Sequence, residues 1–126
     1  MSARILVVDD DRSIQRLLKT CLEYLGCAVD IASSGKEALL KLAETRYQGV
    51  LLDYLMPGGM DGLAVLRLVR RTHPTVPVVM MSGNPPSDVV LPALSAGAQT
   101  CLLKPFDIAQ IEQIVLGWTP RSRSAA

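Results

Sequence analysis

Side chains able to do chemistry sit at the ends of apolar runs in this chain. Asp9, Asp10 and Asp11 follow RILVV (residues 4 to 8), and Asp53 closes GVLLD (49 to 53). Ser82 follows VPVVMM (76 to 81), and Lys104 follows the apolar CLL. Carboxylates that converge from neighbouring strand ends repel, at about 4 kcal/mol per pair for a separation of about 4 Å and an effective dielectric near 20. A divalent cation offsets that repulsion. An all-oxygen site at a strand edge suits Mg²⁺, which keeps several waters and takes only one or two carboxylates directly. Capping of a following helix accounts for Asp11, but it does not account for Asp53 as well. An ammonium at Lys104, aimed into an acidic crevice, can neutralise an anionic oxygen, including one on a transferring phosphoryl group. Ser82 adds a hydroxyl donor, and Gly83 lets the backbone approach closely. Carboxylate nucleophile, metal, lysine and hydroxyl together suit phosphoryl transfer, where positioning and charge neutralisation do most of the catalysis. Asp53 is then buried at a strand end because it is the group that reacts.

Such a set works only if the chain brings those run ends to one edge. RILVV, CAVDIA (27 to 32), GVLLD, VPVVMM and QTCLLK (99 to 104) read as strands covered on both faces. Between them lie helical periods. Ile14, Leu17, Leu18, Cys21, Leu22 and Leu25 fall on one helix face, with Gly26 placed as a C-cap. Ser34 with Glu37 makes a capping box, Asp61 can cap a third helix, and Asp107 with Gln110 resembles a further box. The fourth helix is the weakest, with Pro92 expected near its first turn. Strict alternation of five strands and five helices predicts right-handed crossovers and an open parallel sheet with helices on both faces. In such sheets the reactive crevice lies beyond the carboxyl ends of the strands. Every chemistry-bearing residue above falls at that edge.

The 126 residues, 49% hydrophobic and 4% aromatic, suit one domain with an aliphatic core. A formal charge of +1 gives no field that would make nucleic acid or a membrane the default partner. Cys21, Cys27 and Cys101 have neither the even count of a disulfide framework nor zinc-ligand spacing, and read as reduced thiols in a cytoplasm. With no charged leader and no apolar run approaching 18 residues, neither export nor membrane spanning is expected. Residues 119–126, TPRSRSAA, read as a disordered tail or the start of a linker. His73 reads as a turn residue at the end opposite the acids, and Trp118 as packing of the last helix. Arg67, Arg70 and Arg71 read as a solvated helix face rather than a nucleic-acid patch.

ILVVDDD, LLDYLMPGGMDG, VVMMSG and LLKPF, in this order and spacing, resemble the four signature blocks of response-regulator receiver domains across residues 4 to about 117. The resemblance implies a flavodoxin-like doubly wound α/β fold of strand order 2-1-3-4-5, with residues 1–118 as the receiver. It implies a two-component signalling switch rather than an enzyme. Asp53 would accept a phosphoryl group from a histidine kinase or a histidine phosphotransfer protein, and the domain would promote its own phosphorylation and dephosphorylation. Mg²⁺ would be held by Asp10, Asp53 and the backbone carbonyl of Leu55, with Asp9 acting through water. Ser82 and Lys104 would bind the phosphoryl oxygens, and the Lys104–Pro105 bond would be cis. The output would be an unnamed downstream protein, with room for a phosphorylation-dependent homodimer.

The chain departs from the family pattern in places. MPGGMDG is one residue longer than the common MPxMDG, and Gly58-Gly59 can absorb the insertion in a turn. Cys101 stands where an aromatic is usual, and Leu55 is apolar where many relatives are polar; Leu55 and Asn84 could alter the phosphate's lifetime. Without a rotating aromatic, activation is expected to move residues 82 to 92 more than strand five. Val89, Val90 and Leu91 cannot all face one core, which makes them the expected two-state element. A Mg²⁺-dependent phosphohydrolase with an aspartyl-phosphate intermediate would need more than the Asp9 and Asp11 pair, because the glycine-threonine or glycine-valine that should follow is missing. A flavodoxin-like cofactor binder would want a glycine- or hydroxyl-rich loop where this chain has three acids. The N-terminal receiver of a longer transcription factor or enzyme remains a reading alongside the single-domain switch.

Overall fold

The computed structural model describes residues 3–56, 59–83 and 86–118, and the side chains of 86 and 87 are outside that description. The tail at 119–126, and with it the domain boundary, falls outside the described residues. The strands are β1 (Arg4–Val8), β2 (Ala28–Ala32), β3 (Gly49–Asp53), β4 (Val78–Ser82) and β5 (Thr100–Leu103). The helices between and after them are α1 (Arg12–Tyr24), α2 (Gly35–Glu44), α3 (Gly62–Thr72), α4 (Pro86–Ser95) and α5 (Ile108–Trp118). All strand pairs are parallel, in the order β2-β1-β3-β4-β5.

Alternate residues of the strands feed two cores. Leu6, Val8, Val50, Leu52, Val78 and Met80 pack with α2, α3 and α4 on one face. Ile5, Val7, Leu51, Val79 and Met81 pack with Leu18 and Leu22 of α1 and Ile111, Val115 and Trp118 of α5 on the other. β3 and β4 are buried at every position, which is why their sequences show no alternation. β2, β4 and β5 begin one or two residues later than their apolar runs do, whereas β1 and β3 begin with theirs. β4 starts after Pro77, whose nitrogen has no hydrogen to give the ladder, although its carbonyl accepts from the Val50 N–H at 2.9 Å.

Helix ends follow the capping chemistry of the sequence. Asp11 accepts from the N–H groups of Ser13 (2.8 Å) and Ile14 (3.3 Å), and Asp61 accepts from Ala64 (2.8 Å). Gly26 takes a φ of +91°, as the C-cap reading requires. Ser34 accepts from the Glu37 N–H at 3.1 Å, but the Glu37 carboxylate accepts from Ser33 (2.8 Å), one residue before the cap. Gln110 accepts from the Asp107 N–H at 2.9 Å. α4 differs from expectation. It begins at Pro86, so Pro92 lies inside the helix rather than in its first turn, and the interior loses one backbone donor there. Val89 is buried and Leu91 exposed, as the split of that face demands.

The third helix also corrects the sequence reading. Arg67 and Arg71 are exposed, but Arg70 is half-buried. Its Nη1 donates to the carbonyls of His73 (3.2 Å), Pro74 (2.9 Å) and Val76 (2.9 Å), and its Nη2 donates to Gly97 (2.8 Å). One guanidinium thus ties the end of α3, the approach to β4 and the turn before β5. Gly97 has a φ of +104°, and a Cβ there would lie 2.7 Å from Arg70 Nε. At the same end Trp118 is buried, its ring occupies the space a side chain at Gly49 would fill, and its Nε1 donates to Gln99 at 2.9 Å. Arg70→Met keeps the aliphatic stem and removes every donor. It should cost about 2 kcal/mol, or about 8 °C in melting temperature, measured by thermal unfolding. A change below about 2 °C would show that water replaces the guanidinium at no loss.

Candidate functional site

The strand register puts the polar run ends side by side. Val8 pairs with Leu52, so Asp9 follows β1 next to Asp53 at the end of β3. Ser82 pairs with Leu103, so Lys104 emerges just beyond, and its N–H donates to the Ser82 carbonyl at 2.7 Å. Asp9 and Ser82 are buried and Asp53 is 4% exposed, whereas Asp10 is exposed. Lys104 Nζ lies 3.0 Å from Asp53 Oδ1 and 3.3 Å from Asp9 Oδ2. The other oxygen of Asp9 accepts from the Asp11 N–H at 2.9 Å. Asp11 itself caps α1 and stays out of the crevice.

Carboxylate oxygens of Asp9, Asp10 and Asp53 lie within 4.8 Å of one another. Three carboxylates against the single ammonium of Lys104 sum to −2 when all are ionised (−3 + 1). Burial is the first cause that pushes the Asp53 carboxyl up to about 6; Asp9 and Asp10 push the same way and Lys104 pulls against them. Burial pulls the Lys104 ammonium down, but Asp53 and Asp9 outweigh it and hold it above its ordinary value. The surplus negative charge, the oxygen-only donors and the open side at Asp10 fit a hard divalent cation. Leu55 follows two residues after Asp53 with its side chain exposed.

Two contributors escaped the sequence reading. Gln15 donates its amide to the Asp9 carbonyl and to Ser33 Oγ (3.0 Å), fastening α1 beside the crevice. Gly62 packs so closely on the Asp53 carbonyl that a Cβ would overlap it, and its N–H donates to the Tyr54 carbonyl at 2.7 Å. The Asp-Gly pair at 61–62 was the available signal, a cap followed by the one residue that permits close approach. The reading of the Gly58-Gly59 turn involves residue 58, and Asn84 was singled out too; both lie outside the described residues. The Lys104–Pro105 bond is cis. Cys101 is half-buried, and burial raises its thiol. His73 caps the far end of α3, with Nε2 3.1 Å from the Leu42 carbonyl, beside a cavity of about 600 Å³ that none of the crevice residues lines.

A five-stranded doubly wound domain with buried acids and a lysine across its strand ends has the architecture of a receiver. The response regulator receiver domain family matches residues 5–116, and the chain belongs to that family. It is similar to the response regulator MprA of Mycolicibacterium vanbaalenii, 38% identical over 111 residues, covering 88% of this chain and 48% of that protein. The chain thus spans about half the length of the curated relatives it matches. Among solved structures it resembles the receiver domain of the Francisella response regulator 1452 (TM-score 0.87, 30% identity, 93% and 96% of the two chains). It also resembles a CheY-like receiver domain protein from Methanospirillum hungatei (TM-score 0.87, 29% identity, 94% of each chain). This chain is the receiver domain of a response regulator, part of a two-component system. No helix among the described residues is long and apolar enough to cross a membrane.

The raised Asp53 carboxyl sets a pH dependence. An acid whose folded pKa lies above its unfolded one contributes stability at low pH and loses it as pH rises through the folded value. For Asp53 that window runs from its ordinary 3.8 to about 6. In metal-free buffer at pH 7.5, Asp53→Asn should raise the melting temperature by about 5 °C, roughly 1 kcal/mol, and the gain should shrink as pH falls from 6 toward 4. Scanning calorimetry across that range checks it. A variant less stable than wild type at pH 7.5 would mean that the ion pair with Lys104 outweighs burial and repulsion.

Proposed function

We propose that Asp53 is the phosphoacceptor of this receiver, and that a histidine kinase or a histidine phosphotransfer protein is the donor. The observation that carries the reading is a buried carboxylate held 3.0 Å from the Lys104 ammonium in a crevice with surplus negative charge. In the transfer, an Asp53 carboxylate oxygen forms a bond to phosphorus, the bond from phosphorus to the donor imidazole nitrogen breaks, and the imidazole leaves as it takes up a proton. Lys104 stands ready to follow the phosphoryl oxygens as charge moves outward from Asp53, and the Ser82 hydroxyl reaches the same oxygens from the neighbouring strand. Bound Mg²⁺ would supply charge neutralisation for the incoming phosphoryl group. Asp10, Asp53 and the Leu55 carbonyl would hold it directly, and Asp9 would act through water.

The domain acts as a switch that promotes its own phosphorylation and dephosphorylation rather than as an enzyme on a separate substrate. Its place is the cytoplasm, with residues 1–118 as the unit. Both a free-standing switch and the receiver part of a longer regulator accord with relatives about twice its length. A downstream protein, or a second phosphorylated copy, would read the surface around β4, α4 and β5.

Incubation with acetyl phosphate and Mg²⁺ should add one phosphoryl group, hydroxylamine-sensitive and lost in Asp53→Asn, as measured by intact mass. Labelling that survives the substitution would move the acceptor elsewhere, and labelling indifferent to EDTA would remove the metal from the reaction.

Cys101 shapes the readout. A half-buried thiol gains or loses little apolar area by turning, so it gives β5 a poor lever. Ser82, by contrast, leads directly into the segment before α4, a helix with a proline inside it. Hydrogen exchange with and without beryllofluoride should therefore change most across residues 82 to 92. Changes confined to α1 and α2 would sink this account.

A further inference from the structure

A cavity of about 330 Å³ opens beside α1, lined by Arg12, Gln15, Arg16, Lys19, Ile31 and Ser33. The four residues from α1 recur at i, i+3, i+4 and i+7, so one helix face makes a whole wall. Ile31 of β2 and Ser33 just beyond that strand make the other. Gln15 ties the two walls together, because its Nε2 donates to Ser33 Oγ at 3.0 Å while it also donates to the Asp9 carbonyl. That side chain therefore stands between the cavity and the crevice. The volume is at the low end for small-molecule sites.

Donors dominate the lining. Among the described residues neither Arg12 nor Arg16 has an ion-pair or hydrogen-bond partner for its guanidinium. Lys19 pairs with Glu23 at 2.9 Å, an exposed contact one helix turn apart that holds the ammonium weakly. Ser33 Oγ already accepts from Gln15, and its own hydrogen has no acceptor among the described residues, so it is free to donate. None of the described residues that line the cavity is acidic. Two acids close by in the chain are engaged elsewhere: Glu37 accepts from the Ser33 N–H at 2.8 Å, and Asp11 caps its own helix. The two arginines are one turn apart, about 6 Å between Cβ atoms, and each planar fork can grip two oxygens of one phosphate.

We propose that this cavity is a second anion site, separate from the crevice, and that its ligand is a diphosphate, free or carried by a nucleoside. Arg12 and Arg16 take one phosphoryl group each through paired N–H···O bonds, Ser33 donates to a remaining oxygen, and Lys19 swings from Glu23 to the outer phosphate. A lone carboxylate or orthophosphate engages only one fork. Half-buried Ile31 gives the cavity an apolar floor on which the organic part of a ligand can rest. The metal-free crevice is no substitute, because its surplus negative charge repels such an anion. The site makes no use of Asp53 and stands whether or not that residue accepts a phosphoryl group.

Calorimetric titration of the chain with pyrophosphate, ADP and orthophosphate tests this, in low-salt buffer and with metal removed on a chelating resin. Pyrophosphate should saturate a single site with a Kd on the order of 100 µM, and orthophosphate should bind about tenfold more weakly or worse. ADP tighter than pyrophosphate supports the proposal with a nucleoside diphosphate as ligand, and ADP no tighter supports it with the free diphosphate. Amide resonances that shift on titration should centre on Gln15 and Ser33. Arg12→Gln combined with Arg16→Gln should weaken pyrophosphate binding about tenfold or more. Arg67→Gln combined with Arg71→Gln removes the same charge from exposed positions on α3 and should leave binding unchanged. Absence of saturation by about 10 mM pyrophosphate overturns the proposal. So does an equal loss in both double variants, or a set of shifts centred on Ser82 and Lys104 instead.

Discussion

The ammonium of Lys104 lies between the carboxylates of Asp53 and Asp9, and the geometry of the crevice turns on that arrangement. A buried carboxylate without a partner would neutralise itself or unfold its surroundings. Two of them side by side demand a cation aimed at both. The lysine can reach them only because β5 runs parallel to β4, in a register that carries Lys104 one step beyond Ser82. Parallel order also brings the ends of β1 and β3 to the same level. The alternating βα topology is thus what permits one lysine to serve two acids that lie far apart in the chain.

That balance is deliberately incomplete in charge terms. The protein's own residues leave the crevice negative, and the Asp53 carboxyl sits well above its ordinary value because burial and the neighbouring acids outweigh the lysine. Stability lost here is the counterpart of a site able to take up cations and charged oxygens from outside. A fully neutralised crevice would be more stable and would have less to gain from either. Asp10 marks the open side of the crevice, since it is the exposed member of the cluster.

Much of this was legible in the residues because the fold places chemistry at strand ends, and strand ends are visible as places where apolar runs stop. Asp53, Ser82 and Lys104 were each found that way, and helix caps at Asp11 and Asp61 were read from side-chain chemistry alone. What stayed hidden depends on partners distant in sequence. Arg70 looked like a member of a solvated arginine face because its acceptors are backbone carbonyls, which no residue pattern reveals. Gln15 was silent for the same reason. The place of Pro92 within α4 was misjudged because the helix begins earlier than local propensity suggests, supported by the burial of Val89 and Ala93.

The two ends of the sheet differ in how firmly they are held. At the end away from the crevice, Arg70 binds the turn at Gly97, and Trp118 fills the space over Gly49. The last turn of α4 is closed there too, with Ala98 N–H donating to Ala93 at 2.9 Å and Gly97 to Leu94 at 3.1 Å. Its first turn leads back to Ser82 at the crevice. β3 and β4 are buried along their whole length, and a close-packed interior does not yield by small continuous amounts. A change of charge at Asp53 therefore has little scope to act through the core. The proposed response across residues 82 to 92 would end at the held turn at Gly97, with the missing donor at Pro92 weakening the helix before it. The exposed Leu91 lies within that stretch, where such a response would be read.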